Sequence, residues 1–332
     1  MRLTTTSMFS QYATNVNEIS SRQARNQIRV FTGKNMVNLG DDPNAVTNIQ
    51  TFSESISKSE NYKRNIQEAL DEQSASEGAL QGISNSLDEI RQLGVESLQI
   101  ANQDKLPVLG EKLRKFLTSL VDGANHQYNG VYVFSGTKTT AASLTPTGAE
   151  TQKLPFEIVQ ETPTASNPSG LRVTFKGNND ERSVNTGAHA TERVSSTAED
   201  AFGTGGTEMF TNVIALYNKL MYKQDGTPRT DNGDFATKAD RDNIAGLVKH
   251  VTDSYETLNA EIGKLGARTQ RFDAMNSQID EDILRMKEFR SREEDTDVAQ
   301  AIMEMQKDDL AMSYALKVGS KIMSQSLLDF LR

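Results

Sequence analysis

The chain has 332 residues, a net charge of −9 and no cysteine, so disulfides and thiolate metal sites are excluded. Its acidic balance argues against nucleic acid as a partner, and the lack of any apolar run of about eighteen residues argues against membrane insertion. Apolar residues make up 36 % of the chain. This share is low for a compact globular protein, and long helices with one solvated face would produce it. The first residues lack the continuous apolar core of an ordinary secretory signal.

The first predicted helix covers residues 5–31 and ends at Gly33, the usual position for a glycine that stops a helix. One apolar face recurs at helical spacing: Phe9, Tyr12, Val16 and Ile19. A basic stripe follows at the same spacing: Arg22, Arg25 and Arg29. The stripe is either a solvated face or a set that pairs with acids near and within the terminal helix, namely Glu293, Glu294, Asp295, Asp297, Asp308 and Asp309.

A second, much longer helix is predicted to begin at Asp42 and Pro43 and to run to about Asn102. An aspartate at the N-cap accepts a free N–H, and proline costs nothing at the first helical position. The predicted inward residues are Ile49, Phe52, Ile56, Ile66, Leu70, Leu80, Ile83, Leu87 and Ile90. Pro107 is expected to break this helix, and a shorter one follows with Leu113, Leu117, Leu120 and Ala124 inward.

The period changes from 3.6 to 2 at Asn129-Gly130, which predicts a strand over 131–136. Residues 139–206 are rich in Thr, Ser, Gly, Asn and Pro, and short strands are predicted at 154–159 and 171–175. We therefore expect a small inserted β-rich domain that the helical part does not need for folding.

Helix resumes near Glu208, and after a loop at 225–228 the chain continues as a long helix to about Phe289. Its apolar seam comprises Val248, Val251, Tyr255, Leu258, Ile262, Leu265, Thr269, Phe272, Asn276, Ile279, Ile283 and Met286. A last seam comprises Ile302, Met305, Asp309, Met312, Leu316, Gly319, Met323 and Leu327. A sustained seven-residue repeat is typical of coiled coils and long bundle helices.

These elements predict a mainly α fold, an elongated long-helix hairpin or coiled-coil rod with discontinuous terminal segments and a small β insert. The expected domains are terminal assembly segments (1–42 with 296–332), a rod (43–138 with 207–295) and the insert (139–206). The terminal stripes have no intramolecular partner of sufficient length, so we expect them to pack in an assembly. The predicted assembly interface is Phe9, Tyr12, Val16, Ile19, Ile302, Met305, Met312, Leu316, Met323, Leu327, Leu328, Phe330 and Leu331.

No motif in the sequence indicates catalysis. His126, His189 and His250 are isolated and fit no metal-ligand spacing. The glycines at 203–206 are not followed by the GK[ST] of a phosphate loop, and residues 225–234 lack the spacing of an EF-hand. The sequence predicts no enzyme, no cofactor and no bound metal.

Three segments together resemble the bacterial flagellin superfamily. The first comprises Thr6-Ser7-Met8-Phe9, Thr32-Gly33-Lys34 and Asp41-Asp42-Pro43-Asn44-Ala45. The second is Gly130-Val131-Tyr132-Val133-Phe134-Ser135-Gly136. The third runs from Asp297-Val298-Ala299-Gln300-Ala301 to Ser326-Leu327-Leu328-Asp329-Phe330-Leu331. Within the superfamily, the last two segments favour the hook-associated branch, although Leu39-Gly40 stands where Pro-Ser is usual.

The resemblance implies a structural component of the flagellum at the hook–filament junction, exported without a cleaved signal by the flagellar type III apparatus to the cell exterior. It implies as partners the first hook-associated protein, flagellin, further copies of the chain and an export chaperone. The alternatives are a flagellin that forms the filament, a type III needle-tip or translocator protein, and a secreted enzyme or adhesin with its activity in the β insert.

Overall fold

The computed structural model describes residues 5–36, 40, 42–99, 105–140, 154–230 and 236–330. The chain divides into two compact units, unit 1 with Met1–Glu60 and Ile279–Arg332, and unit 2 with Asn61–Gln278. The helices are α1 (Thr5–Thr32), α2 (Pro43–Ser97), α3 (Leu106–Ala124), α4 (Ala198–Phe202), α5 (Glu208–Met221), α6 (Lys238–Glu294) and α7 (Val298–Phe330). The strands are β1 (Gln127–Tyr128), β2 (Val131–Tyr132), β3 (Phe156–Gln160), β4 (Leu171–Phe175), β5 (Ser183–Gly187) and β6 (Ala190–Arg193).

The predicted helix ends at Gly33 and Asp42 are confirmed. Gly33 has a φ of 67°, and its N–H donates to the Arg29 carbonyl at 2.9 Å. Asp42 Oδ1 accepts the N–H groups of Asn44 and Ala45 at 3.0 and 3.1 Å. The loop residues 37–39 lie outside the described part of the chain.

The predicted end of the second helix near Asn102 is wrong by about one turn, because α2 ends at Ser97, while residues 100–104 lie outside the described part of the chain. Pro107 is not a terminator. It lies in the first turn of α3, where its missing N–H is tolerated.

The predicted seams of α2 and α6 are confirmed. Every inward residue predicted for the two helices is buried or half-buried, and Ile66, Leu80, Leu87, Ile90, Val251, Leu258 and Leu265 are fully buried. The repeat located these faces correctly because large apolar residues at spacings of three and four leave little doubt about the inward side of a helix.

Unit 2 is built around one hydrophobic core that joins helices and strands. Phe156 of β3 lies 5.4 Å from the Phe202 ring and 5.7 Å from the Phe210 ring, and Phe134 lies 5.4 Å from Phe202. These rings belong to the same cluster as the buried leucines of α3 and α5. The boundary 139–206 for a separate β domain stays a prediction, but its aromatic side chains share their core with the helices.

In the part of the β region that the structure describes, the strands form three two-stranded antiparallel sheets, β1–β2, β3–β4 and β5–β6. Asn129 and Gly130 form the turn of the first hairpin with φ of 51° and 77°, as a two-residue turn requires. The predicted strand 131–136 is wrong beyond Tyr132, because the chain turns there to bury Val133 and Phe134. Strands β3 and β4 match their predictions within two residues, whereas the β5–β6 hairpin was not predicted.

Among the described helices, none is long and apolar enough to cross a membrane.

Candidate assembly interface

Helices α1 and α7 pack antiparallel in unit 1. Tyr12 lies against Gly319 near one end of the pair, and Arg29 contacts Glu304 near the other. Buried or half-buried residues follow an unbroken heptad spacing on each helix: Tyr12, Val16, Ile19, Gln23, Asn26 and Val30 on α1, and Ala301, Met305, Asp308, Met312, Ala315 and Gly319 on α7. We call these twelve residues the α1–α7 seam.

The seam differs from the one predicted for α7. Met305, Met312 and Gly319 lie on it, as predicted, but Ile302, Asp309 and Leu316 are exposed. The prediction chose Ile302 and Leu316 because they are large, whereas the helix turns the small Ala301 and Ala315 towards α1. Gly319 belongs to the seam because it leaves the space that the Tyr12 ring occupies.

A polar cluster interrupts the seam at its middle. Asp308, only 6 % exposed, accepts hydrogen bonds from Arg22 Nε at 3.2 Å and from Asn26 Nδ2 at 3.0 Å. The Arg29 guanidinium donates to Asn26 Oδ1 at 3.2 Å and to Glu304 at 3.0 Å. The Gln300 hydrogen bond and the charge of Arg29 hold the pKa of Glu304 below its usual value. Of the basic stripe of α1, Arg22 therefore pairs with Asp308 and Arg29 with Glu304, although the Arg22 side chain is itself half exposed.

The two chain connections of unit 1 are joined by a short backbone bridge. The Asn35 N–H donates to the Glu294 carbonyl at 2.7 Å, and the Thr296 N–H donates to the Gly33 carbonyl at 2.9 Å. Lys34 Nζ lies 2.7 Å from Asp295 and 3.2 Å from Glu294. The hydrogen bond between Lys34 and Asp295 raises the pKa of the lysine and lowers that of the aspartate.

The face of α7 turned away from α1 is also apolar. Met303 is 63 % exposed, Leu310 59 % and Tyr314 63 %. Together with Gln306, Lys307 and Ala311 they line an open groove of about 480 Å³. Lys317 Nζ lies 5.7 Å from the centre of the Tyr314 ring. Helix α7 is therefore apolar on two roughly opposite sides, only one of which is covered in the single chain.

Exposed large apolar side chains are concentrated in unit 1. Of the fifteen found among the described side chains, twelve belong to unit 1 and only Val95, Val108 and Leu154 to unit 2. Scattered exposed apolar residues are normal, but a clustered set indicates a surface that another protein covers.

The predicted interface residues fall into three groups. Tyr12, Val16, Ile19, Met305 and Met312 are half-buried in the α1–α7 seam, while Phe9, Ile302 and Leu316 are exposed. Met323, Leu327, Leu328 and Phe330 belong to α7, but their side chains lie outside the described part of the chain, as does Leu331 altogether. The exposed residues Met303, Leu310 and Tyr314 were not among the predicted ones, although their spacing of seven and four places them on one side of a helix.

A polar crevice of about 120 Å³ lies between α5 and α6 in unit 2, lined in part by Glu208, Asn212, His250 and Asp253. Its polar groups bond to their surroundings: Glu208 accepts the Thr204 N–H at 2.8 Å, and Asn212 donates to Ser254 at 3.1 Å. Within the described ranges, no three His, Asp or Glu side chains are grouped so that they could hold a metal ion. All three histidines are exposed.

Two family models match the ends of the chain. The bacterial flagellin N-terminal helical region matches residues 3–139, and the bacterial flagellin C-terminal helical region matches residues 248–331. The chain belongs to the bacterial flagellin family. The two flagellin regions contain α1 and α7, so the α1–α7 seam is built from both. A comparison with curated protein sequences finds no significant match.

Solved structures of flagellar proteins share this flagellin-like fold. A putative flagellar hook-associated protein from Vibrio parahaemolyticus has 19 % identity and a TM-score of 0.60, and the match covers 77 % of this chain and 100 % of that one. Flagellar hook-associated protein-3 from Legionella pneumophila has 12 % identity and a TM-score of 0.58, covering 74 % and 98 %. The flagellar junction protein FlgL of the same organism has 13 % identity and a TM-score of 0.53, covering 75 % and 100 %. The mainly α fold class with a small β region is thus confirmed.

Proposed function

We propose that the chain is a structural component of the bacterial flagellum, a third hook-associated protein that forms the junction between hook and filament. Membership of the flagellin family supports a structural subunit of this organelle. The observation that carries the proposal is the exposed apolar face of α7 on the side opposite the α1–α7 seam. Solved structures of hook-associated and junction proteins share the fold.

The physical argument is that a single chain leaves this face in water. Each large apolar side chain that leaves water contributes about 1.5–3 kcal/mol, so burial of Met303, Leu310 and Tyr314 would favour assembly substantially. Helix α7 then contacts α1 on one side and neighbouring subunits on the other. A contact between two different patches of identical subunits closes into a ring or continues as a helix, as a junction requires.

The proposed partners follow from the position of a junction. The first hook-associated protein lies on the hook side, flagellin lies on the filament side, and further copies of the chain lie alongside. Before assembly the exposed face of α7 needs protection from aggregation, for which an export chaperone would serve. Passage through the type III apparatus to the cell exterior suits a chain without cysteine, because no disulfide can lock a folded form.

The test replaces the apolar face with charge. In cells that carry the variant as the sole copy, Met303→Glu/Leu310→Glu should abolish motility and release filaments into the medium, while the purified monomer keeps its helix content. The matched control is Val108→Glu, which changes a similarly exposed side chain of unit 2 and should leave motility intact. Motile cells with the double variant would exclude α7 as the assembly surface.

A flagellin that forms the filament is the second candidate, because the matching family models describe flagellin regions. The two roles differ in where the protein accumulates. A junction protein should be a minor species at the base of sheared filaments, whereas a flagellin should be their main component. Quantitative mass spectrometry of sheared filaments separates these outcomes.

A further inference from the structure

Both sides of α7 carry apolar side chains. The covered side carries Met305 and Met312 but also Asp308 and Gly319. The exposed side carries the large Met303, Leu310 and Tyr314 beside Gln306 and Lys307. Because either side would bury apolar area against α1, hydrophobicity alone does not fix the observed orientation of α7.

We infer that Arg22 and Asn26 of α1 and Asp308 of α7 form an orientation key, which holds the large apolar face of α7 outwards for a partner subunit. Asp308 receives hydrogen bonds from both α1 residues, and it is nearly buried between the helices. If α7 turned about its axis, Asp308 would leave its partners, and Asn26 would be left against apolar side chains. A buried polar group without a partner is costly, so the cluster disfavours the turned state.

The cluster acts like a polar residue in the core of a coiled coil. Such a residue selects one packing arrangement of the helices and lowers their stability. Here the alternative that it excludes is self-burial of the assembly surface. A chain whose α7 packed Met303, Leu310 and Tyr314 against its own α1 would hide these side chains from a partner subunit. Such a chain would assemble poorly. The inference rests on the proposed function only for the identity of the partner, a second copy of the chain, because the orientation itself belongs to the monomer.

The absence of cysteine makes this orientation measurable with single introduced thiols. Leu310→Cys reports the outward face, and Ala301→Cys reports the covered face, where the side chain is fully buried. In the otherwise unchanged monomer, a maleimide should react at least tenfold faster with the thiol at 310 than with the thiol at 301.

The decisive variant is Arg22→Leu/Asn26→Leu, which removes the partners of Asp308 and makes the α1 face apolar. We expect the ratio of labelling rates to invert, because α7 turns Asp308 to solvent and Met303, Leu310 and Tyr314 towards α1. Adding Asp308→Leu should restore the original ratio, because the covered face then has no charge to expel. The matched control is Gln23→Leu/Asp309→Leu, which removes the neighbouring hydrogen bond between half-buried Gln23 and exposed Asp309 (2.5 Å) and should leave the ratio unchanged.

An unchanged ratio in Arg22→Leu/Asn26→Leu would overturn the inference, and so would fast labelling at both positions, since the cluster would then hold the helices together without orienting them. Failure of Met303→Glu/Leu310→Glu to affect motility would instead remove the proposed function and leave the labelling result untouched.

Discussion

The ring of Tyr12 on α1 occupies the space that a side chain at Gly319 on α7 would fill, and a Cβ added at Gly319 would collide with it. The close approach of the two helices at this end therefore depends on a residue without a side chain. In contrast, Gly263 lies exposed on α6 with no atom near the position of its missing Cβ.

The two glycines predict opposite effects for the same substitution. Gly263→Ala should stabilise unit 2 by about 0.5–1 kcal/mol, because alanine loses less backbone entropy in a helix. Gly319→Ala should instead lower the free energy of opening of α1 by about 1–3 kcal/mol, because the Tyr12 ring must leave its site. Hydrogen exchange of α1 and urea unfolding of unit 2 measure the two changes. Equal effects at both glycines would mean that Tyr12 does not pack on Gly319.

Replacement of the buried Glu261 should lower the stability of unit 2 strongly. Its side chain is 1 % exposed, accepts the Ser196 hydroxyl at 2.8 Å and contacts Arg268 at 2.6 Å. Glu261→Ala leaves the guanidinium without its carboxylate, for which buried pairs typically cost 3–5 kcal/mol. We expect about 2–3 kcal/mol, because Arg268 keeps some contact with water. Urea unfolding should show this loss, whereas Glu256→Ala, an exposed acid on the same helix, should change little.

The long helices were predictable from the sequence, and the reason lies in side-chain size. Along α6, residues such as Leu258, Leu265 and Phe272 mark the inward side unambiguously, and all three are buried. On α7 the covered positions other than Met305 and Met312 are small or charged, so the repeat of large residues pointed to Ile302 and Leu316 as well. When a helix has two apolar sides, the sequence pattern alone does not tell which side packs against a given partner.

The β region was predictable in part. Strand β4 was found because Leu171–Phe175 is a β-prone run bounded by turn residues. The β5–β6 hairpin was missed because its residues are mostly polar, and its attachment depends on contacts distant in sequence. Arg182 pairs with Glu72 on α2, and Arg271 on α6 lies 2.5 Å from Glu192. The local sequence pattern carries no information about ion pairs between residues so distant in the chain.

The contacts between residues 139–206 and the helices lead us to predict, against our expectation from the sequence, that this segment is needed for folding of unit 2. Phe156 stacks on Phe175 at 4.8 Å, and its backbone pairs with the Asn125 amide at 2.8 and 2.9 Å. Phe156→Ala should cost about 3–5 kcal/mol through the cavity it leaves. Replacement of 139–206 by a short linker should abolish cooperative melting of unit 2. A deletion variant that melts like the full chain would show that the helices form a core without the insert.

Protonation of Asp240 should lower the stability of the folded chain in acid. Burial raises its pKa, but hydrogen bonds from Thr237 and Arg229 outweigh burial, so the pKa of the folded state lies below the usual value. Stability from this group is therefore fully present above pH 4, about the pKa of the unfolded state, and is lost as the pH falls through the lower folded value. Asp240→Asn should flatten the acid limb of stability against pH. Asp242→Asn, an exposed neighbour, serves as the control and should retain it.

The last prediction concerns the stability of the α1–α7 pair before assembly. Among the described side chains of these two helices, Ala301 is the only apolar one that is fully buried, and the other buried seam side chains are Asn26 and Asp308. Burial of so little apolar area compensates only weakly for the conformational entropy lost when two long helices become ordered. In the monomer, amides of α1 and α7 should therefore exchange through openings of low free energy, while those of α3 and α5 are protected by the core of unit 2.

Assembly should reverse this difference, because neighbouring copies cover Met303, Leu310 and Tyr314 and order the helix that carries them. Hydrogen exchange followed by mass spectrometry on monomer and on assembled hook–filament preparations measures both states in the same peptides. Removal of residues 327–332 should leave exchange in unit 2 unchanged and abolish filament attachment. Strong protection of α1 and α7 in the monomer would mean that the pair is a finished bundle, and its apolar outer face would then need another explanation.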